Sequence, residues 1–306
     1  MKKIKLLNSG LSASNIIMGC MRINTLSKND TETLVRTAIE QGINYFDHAD
    51  IYGNGECETH FSQSISITPS LREKIILQSK CGIGSGYYDF SKEHILNSVD
   101  NSLERLHTEY LDVLLLHRPD TLMEPDEIAE AFDILHQSGK VRYFGVSNQN
   151  PMQIELLQKY CSQKLIINQM QLSIAHCPMI DSQLAVNMNI PQSINREGSI
   201  LDYCRLKDIT IQAWSPFQKG FFEGIFLDDY RNYEQLNQVL DQLAEKYHVS
   251  KTAIAVAFLT RHPANIQVIL GTTNPHRLID GCNGSDLPLS RQEWYTLYTA
   301  SGKMLP

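Results

Sequence analysis

Short apolar, β-branched runs alternate with longer amphipathic stretches along almost the whole chain. The runs fall at 16–18, 43–46, 74–78, 111–116, 141–146, 165–167, 209–213 and 266–270. Several are apolar on both faces, the pattern of strands buried in a parallel sheet. Helix-like segments with readable caps lie between them. Asn150 precedes a first-turn proline, Pro151, and Gln153 stands at the capping-box position. Ser290 with Glu293 makes a second box, and Ser250 opens a helical run over 251–262 that Pro263 stops. Eight strand–helix units at roughly thirty-residue intervals predict a (β/α)8 TIM barrel. A doubly wound sheet is the alternative, because alternation alone does not say whether the sheet closes.

Residues 4–6 and 11–14, either side of Asn8-Ser9-Gly10, predict a small N-terminal β-hairpin ahead of the first barrel strand. Two intervals are too long for one helix. The first, 168–208, is expected to hold a long surface loop or short insertion at 175–198. The second, 214–265, is expected to hold an extra helix at 233–247, and a last helix is expected at 290–301. No stretch rich in Pro, Gly or charge divides the chain, so residues 1–306 are read as one barrel domain.

Composition narrows the class of function. With 42% hydrophobic and 20% charged residues, a largely disordered or collagen-like chain is excluded. The net charge of −7, from 34 acidic against 27 basic residues, argues against nucleic acid or an anionic membrane as partner. The seven cysteines are scattered, odd in number and without a Cys-x-x-Cys pair, so neither a disulfide framework nor a structural zinc site is expected. No secretory signal is visible, and no apolar run approaches the ~20 residues of a membrane helix. The expected address is the cytoplasm; the oligomeric state is left open.

In a parallel barrel, chemistry collects where strands end and loops begin. Asp47 ends the second strand, Lys80 the third and His117 the fourth, just past the apolar runs, and Tyr52 lies five residues past Asp47 on the next loop. Taken singly, each has a structural reading: a loop cap, a lysine reaching out to solvent, a packed aromatic and a core histidine. On successive units the four converge on one mouth. They suit proton donation to a carbonyl oxygen that becomes an alkoxide. A tyrosine is a weak acid at neutral pH, and a neighbouring ammonium lowers its pKa. A carboxylate holds that lysine charged, and His117 steers the substrate oxygen.

Two patterns compete. Gly82-Ile83-Gly84-Ser85-Gly86 follows a strand, but it lacks the last glycine of a dinucleotide fingerprint and opens no helix, so it reads as a flexible substrate loop. Asp47, His48, Asp50 and His117 raise the prospect of a metal-dependent barrel hydrolase. No His-x-His pair ends the first strand, however, and Lys80 brings a positive charge, so no metal is expected.

FDHADIYG (46–53), the strand ending in Lys80, LLLHRPD (114–120), FGVSN (144–148), NQ (168–169), WSPF (214–217) and ILGTTNPHR (269–277) resemble the aldo-keto reductase family in order and spacing over nearly the whole chain. The resemblance implies Tyr52 as general acid, Lys80 tuning it, Asp47 paired with Lys80, and His117 orienting the carbonyl. It also implies the hydride donor, NADPH with NADH as the alternative. Ser147, Asn148 and Gln169 match residues that hold the nicotinamide carboxamide. Trp214 matches an aromatic stacked on the ring, and Ser215, Pro216 and Phe217 match a pyrophosphate cover. Gly271, Thr272, Thr273 and Arg277 match the grip on the adenosine phosphate. Many members carry lysine where Gly271 stands, and Asp280-Gly281 replaces a frequent Glu-Asn pair.

Met21, Arg22, Tyr87 and Tyr88 are expected to line the substrate pocket, with Arg22 a candidate partner for a substrate carboxylate or a surface salt bridge. Loops 175–198 and 221–230 are candidates to close over it, and the short segment 302–306 implies an open site. The expected activity is NADPH-dependent reduction of small aldehydes or ketones. The alternatives are a nucleotide-binding regulatory barrel with little turnover, and a polyol or sugar dehydrogenase working in the oxidising direction.

Overall fold

The structure, a computed structural model, describes residues 1–305. A hairpin of β1 (Lys3–Lys5) and β2 (Ser12–Ser14) precedes eight parallel strands. These are β3 (Ile16–Gly19), β4 (Tyr45–Asp47), β5 (Ile76–Cys81), β6 (Leu111–Leu116), β7 (Val141–Ser147), β8 (Leu165–Gln171), β9 (Thr210–Trp214) and β10 (Gln267–Leu270). They pair in chain order, and β10 closes on β3 through Val268 opposite Ile16. The sheet is therefore a closed barrel with helices outside it, which resolves the choice left by alternation in favour of the (β/α)8 form.

The long interval between β8 and β9 is more structured than a loop: it carries short helices at Pro178–Leu184 and Ile200–Leu206. Both predicted capping boxes form, at Asn150 with Gln153 and at Ser290 with Glu293. The extra helix spans Glu234–Tyr247, and the Ser250-capped helix ends at Thr260, ahead of Pro263. Residues 302–305 turn back toward the β8–β9 connection, where the Lys303 ammonium donates to the Ile174 carbonyl at 2.6 Å. Pro306 lies outside the described residues. No helix among the described residues is long and apolar enough to cross a membrane.

Two-residue periodicity sorts each strand into an outer face under the helices and an inner face within the barrel. The inner apolar set includes Ile17, Tyr45, Ile76, Val113, Leu115, Ile167 and Ile269, sealed below by Ile4, Leu6 and Ala13 of the hairpin. Continuing along the same face, Ile76 is followed by Gln78 and Lys80, Tyr45 by Asp47, Leu115 by His117, and Ile167 by Gln169. The candidate residues thus project inward at the strands' C-terminal ends because they keep the parity of the core below them. Gly145 on β7 belongs to this register: a Cβ there would lie 2.8 Å from the Ile167 carbonyl oxygen and 2.7 Å from a Leu115 methyl. The β7–β8 register shifts at this point and sets Ser147 opposite Gln169.

Candidate active site

After β4 the backbone keeps bonding to β5, His48 N–H to the Gln78 carbonyl at 2.8 Å and Asp50 N–H to that of Lys80 at 3.0 Å. This draws the chain across the top of Lys80, and a tight turn over Tyr52–Gly55, in which Gly53, Asn54 and Gly55 take left-handed backbone angles, sets the Tyr52 phenol above it. The buried Lys80 ammonium donates at 2.9 Å to Asp47, at 2.7 Å to the His48 carbonyl and at 3.0 Å to the Tyr52 oxygen. All three ammonium hydrogens are used, so the phenolic hydrogen is not needed by Lys80 and is free to be donated elsewhere. The His117 ring stands 5.9 Å from that of Tyr52, nearly perpendicular.

Burial opposes the ammonium of Lys80, but the Asp47 carboxylate and the Tyr52 oxygen outweigh it and hold its pKa above the ordinary value. Tyr52 departs from the expectation of a lowered pKa. Burial pushes it up, the Lys80 charge pulls it down, and the net result lies above the ordinary tyrosine value. Lysine therefore limits the rise instead of reversing it, and the phenol keeps its proton at neutral pH. Burial, then the charges of Lys80 and Arg118, hold His117 far below its ordinary value, so its imidazole is neutral. Its Nδ1 is buried without a partner.

Beneath the four lies a layer of buried amides that reading the strands as apolar runs overlooks. Gln78 and Gln169 both donate to Asp47 Oδ1, Gln169 at 3.1 Å, and both donate at 3.0 Å to the side-chain oxygen of Gln212. Gln212 donates to Gln267 at 3.1 Å, and Gln267 to the Ser14 carbonyl at 2.8 Å. Tyr45 donates to Gln78 at 2.8 Å. The detectable signal was a glutamine two places before Lys80 and another two before Trp214, each inside an apolar run.

His48 is buried edge-on to Phe61 with both ring nitrogens unpartnered. Burial, then the Lys80 charge, lowers its pKa from 6.5 to about 3. The neutral ring therefore contributes stability above pH 6.5 that is lost as pH falls toward 3. His48→Leu is expected to flatten the loss of stability across that window, read from urea midpoints at several pH values. An unchanged slope would assign the acid sensitivity to other groups.

The remaining predicted residues form a rim. Trp214, half-buried, donates from its indole nitrogen to Asn148 at 3.2 Å; Asn148 donates to the Ser147 hydroxyl at 2.7 Å, and Ser147 to the Gln169 carbonyl at 3.0 Å. Ser215, Pro216 and Phe217 begin a loop that folds back on itself, with Phe226 N–H bonded to the Phe217 carbonyl at 3.0 Å. Thr272 and Thr273 are half-buried and Gly271 and Arg277 exposed, at the start of the Asn274-capped helix Pro275–Cys282, whose first turn holds no acid. A Cβ on Gly271 would meet only the Arg22 guanidinium, at 3.8 Å, so sterics do not require glycine there.

Arg22 donates to the Gly271 carbonyl instead of forming a salt bridge, which ties it to the 271–277 corner. Met21, Tyr87 and Tyr88 are exposed at the mouth. Residues 82–90 form a small hairpin instead of a loose loop, closed by the Ile83–Tyr88 bridge. Gly82 has φ +101°, and a Cβ on it would lie 2.0 Å from the Phe90 ring. Packing on aromatic rings accounts for a glycine that invites a phosphate-loop reading.

A profile of the aldo/keto reductase family matches residues 15–300. The "Uncharacterized oxidoreductase YcsN" of Bacillus subtilis is 36% identical over 313 aligned residues, 98% of each chain. A 6-dehydroglucose reductase of Agrobacterium fabrum is 33% identical with 97% of each chain aligned. Among solved structures, the thermostable aldo-keto reductase Tm1743, in complex with the inhibitor epalrestat, superposes with a TM-score of 0.79 over 98% of this chain and all of its own. At 22% identity that likeness speaks for the fold alone. The relatives are oxidoreductases by name. The chain belongs to the aldo/keto reductase family, whose members generally use NAD(P)H.

Proposed function

We propose that this protein reduces aldehydes or ketones to alcohols at the expense of NADPH, with Tyr52 delivering the proton. The observation that carries the reading is the Lys80 ammonium, donating at once to Asp47, the His48 carbonyl and Tyr52. The nicotinamide supplies the hydride when bound. The rim fits such a group. Gln169 uses its amide nitrogen on Asp47 and Gln212, while its oxygen accepts nothing and remains available to a carboxamide N–H. Trp214 offers a half-buried face held in place through Asn148. The acid-free helix start beside Arg277 suits phosphate.

The residues divide the work. Neutral His117, in the tautomer that carries its proton on Nε2, orients the carbonyl oxygen by a hydrogen bond, while its buried Nδ1 has no partner in the protein. Tyr52 passes its hydroxyl hydrogen to that oxygen as negative charge develops. Lys80 stabilises the tyrosinate left behind through the bond already in place. Asp47, fixed by two glutamines, keeps the ammonium in line.

The test is NADPH oxidation by the purified protein over aromatic, aliphatic and dicarbonyl aldehydes. The Agrobacterium relative's name adds an oxidised sugar to the panel. Turnover that Tyr52→Phe abolishes supports the reading; a protein that binds NADPH and turns over nothing favours the regulatory alternative. Arg277→Ala is expected to weaken NADPH about ten-fold with little change for NADH, because it removes charge-assisted bonds to the 2′-phosphate alone. Equal weakening of the two nucleotides would place Arg277 off that phosphate.

A further inference from the structure

We infer that Arg118 is a substrate-binding residue, holding a carboxylate on the carbonyl compound beside Tyr52 and His117. The inference rests on the reductase reading and adds a substrate class to it. Cations around the barrel mouth mostly have partners: Lys80 has Asp47, Arg105 has Glu58 and Lys219 has Asp229, while Arg22 is bonded to the Gly271 carbonyl. Arg118 is different. It is half-buried, and among the described residues its guanidinium has no carboxylate within salt-bridge distance and no hydrogen-bond acceptor.

What surrounds Arg118 is aromatic. The guanidinium carbon lies 5.6 Å from the Trp214 ring centre and 5.5 Å from that of Phe221. Those two rings meet edge to face, 6.2 Å apart, so the cation occupies the corner between them. Burial lowers the pKa of Arg118 below the ordinary arginine value, opposed only in part by the nearby Tyr88 and Tyr52 oxygens. Arginine stays protonated in such a place, and a guanidinium half removed from water with no counter-ion is unfavourable in the free protein. A planar carboxylate meets its fork with two parallel bonds, while ring faces flank the hydrocarbon part of the ligand. Because Arg118 directly follows His117, the same turn that presents the oxygen-orienting group presents the anion-binding group. The two ends of one small molecule are thereby addressed together.

The experiment compares succinate semialdehyde with butanal, which has the same chain length without the charge, in the intact protein and in Arg118→Gln and Arg118→Lys. The expected result is a higher kcat/KM for the semialdehyde. Arg118→Gln should cut that preference by about ten- to hundred-fold, mainly through KM, with Arg118→Lys in between. Turnover of both aldehydes without preference, or a proportional loss of both in Arg118→Gln, would overturn the assignment. If no aldehyde of any charge is reduced, the reductase reading fails. Butyrate binding, followed by tryptophan fluorescence, then judges the subsite by itself: saturable quenching lost in Arg118→Gln sustains it, and quenching unaffected by the substitution, or none, overturns it.

Discussion

Tyr52→Phe is expected to reduce carbonyl turnover by about a thousand-fold or more while NADPH still binds with little change, the size of effect typical when a general acid is lost. The substitution removes one hydroxyl and almost no volume. Lys80 loses one of its three acceptors but keeps Asp47 and the His48 carbonyl, so the buried pair stays assembled. Single-turnover NADPH oxidation measures the chemical step, and titration of nucleotide fluorescence measures binding. Reduction at the parent rate would show that another group supplies the proton.

Lys80→Met is expected to act on activity and stability together. Breaking a buried pair by removing one partner typically costs about 3–5 kcal/mol, because the remaining charge is neither solvated nor neutralised. Here the abandoned group is Asp47, held inside the barrel by glutamines that cannot neutralise it. Catalysis also falls, since nothing then stabilises the tyrosinate. Adding Asp47→Asn should restore much of the stability, measured by urea unfolding, and none of the activity. Adding Tyr52→Phe to Lys80→Met should cost little further activity, because the two residues act as a unit. Full additivity in that pair would separate their roles.

The architecture was readable because each barrel strand is short, apolar and bounded by caps, and those are local properties. The positions of Asp47, Lys80 and His117 followed from strand ends. The amide layer was not readable. Gln169 reaches Asp47 across 122 positions of sequence, and only closure of the barrel and its stagger bring β8 beside β4 in the interior. Arg22 likewise stood open to several partners until β3 and β10 closed the ring and set it on the Gly271 carbonyl. The direction of the Tyr52 shift depended on the balance between burial and one ammonium. A list of neighbours contains the second quantity and not the first.

The glutamine layer also has a sense of direction. An amide offers hydrogens on one side and an oxygen on the other, so a chain of them can be threaded in only one orientation once one end is set. The Ser14 carbonyl, where the N-terminal hairpin meets the barrel floor, accepts from Gln267 and thereby turns the Gln267 oxygen toward Gln212. Gln212 must then present its own oxygen to Gln78 and Gln169, and Tyr45 reinforces the choice by donating to Gln78. The hydrogens left over arrive at Asp47. A main-chain oxygen at the base of the barrel therefore dictates, through four side chains, that the carboxylate near its mouth meets donors from below. Reversing any one link would set hydrogen against hydrogen or oxygen against oxygen, and the misorientation would propagate to the carboxylate.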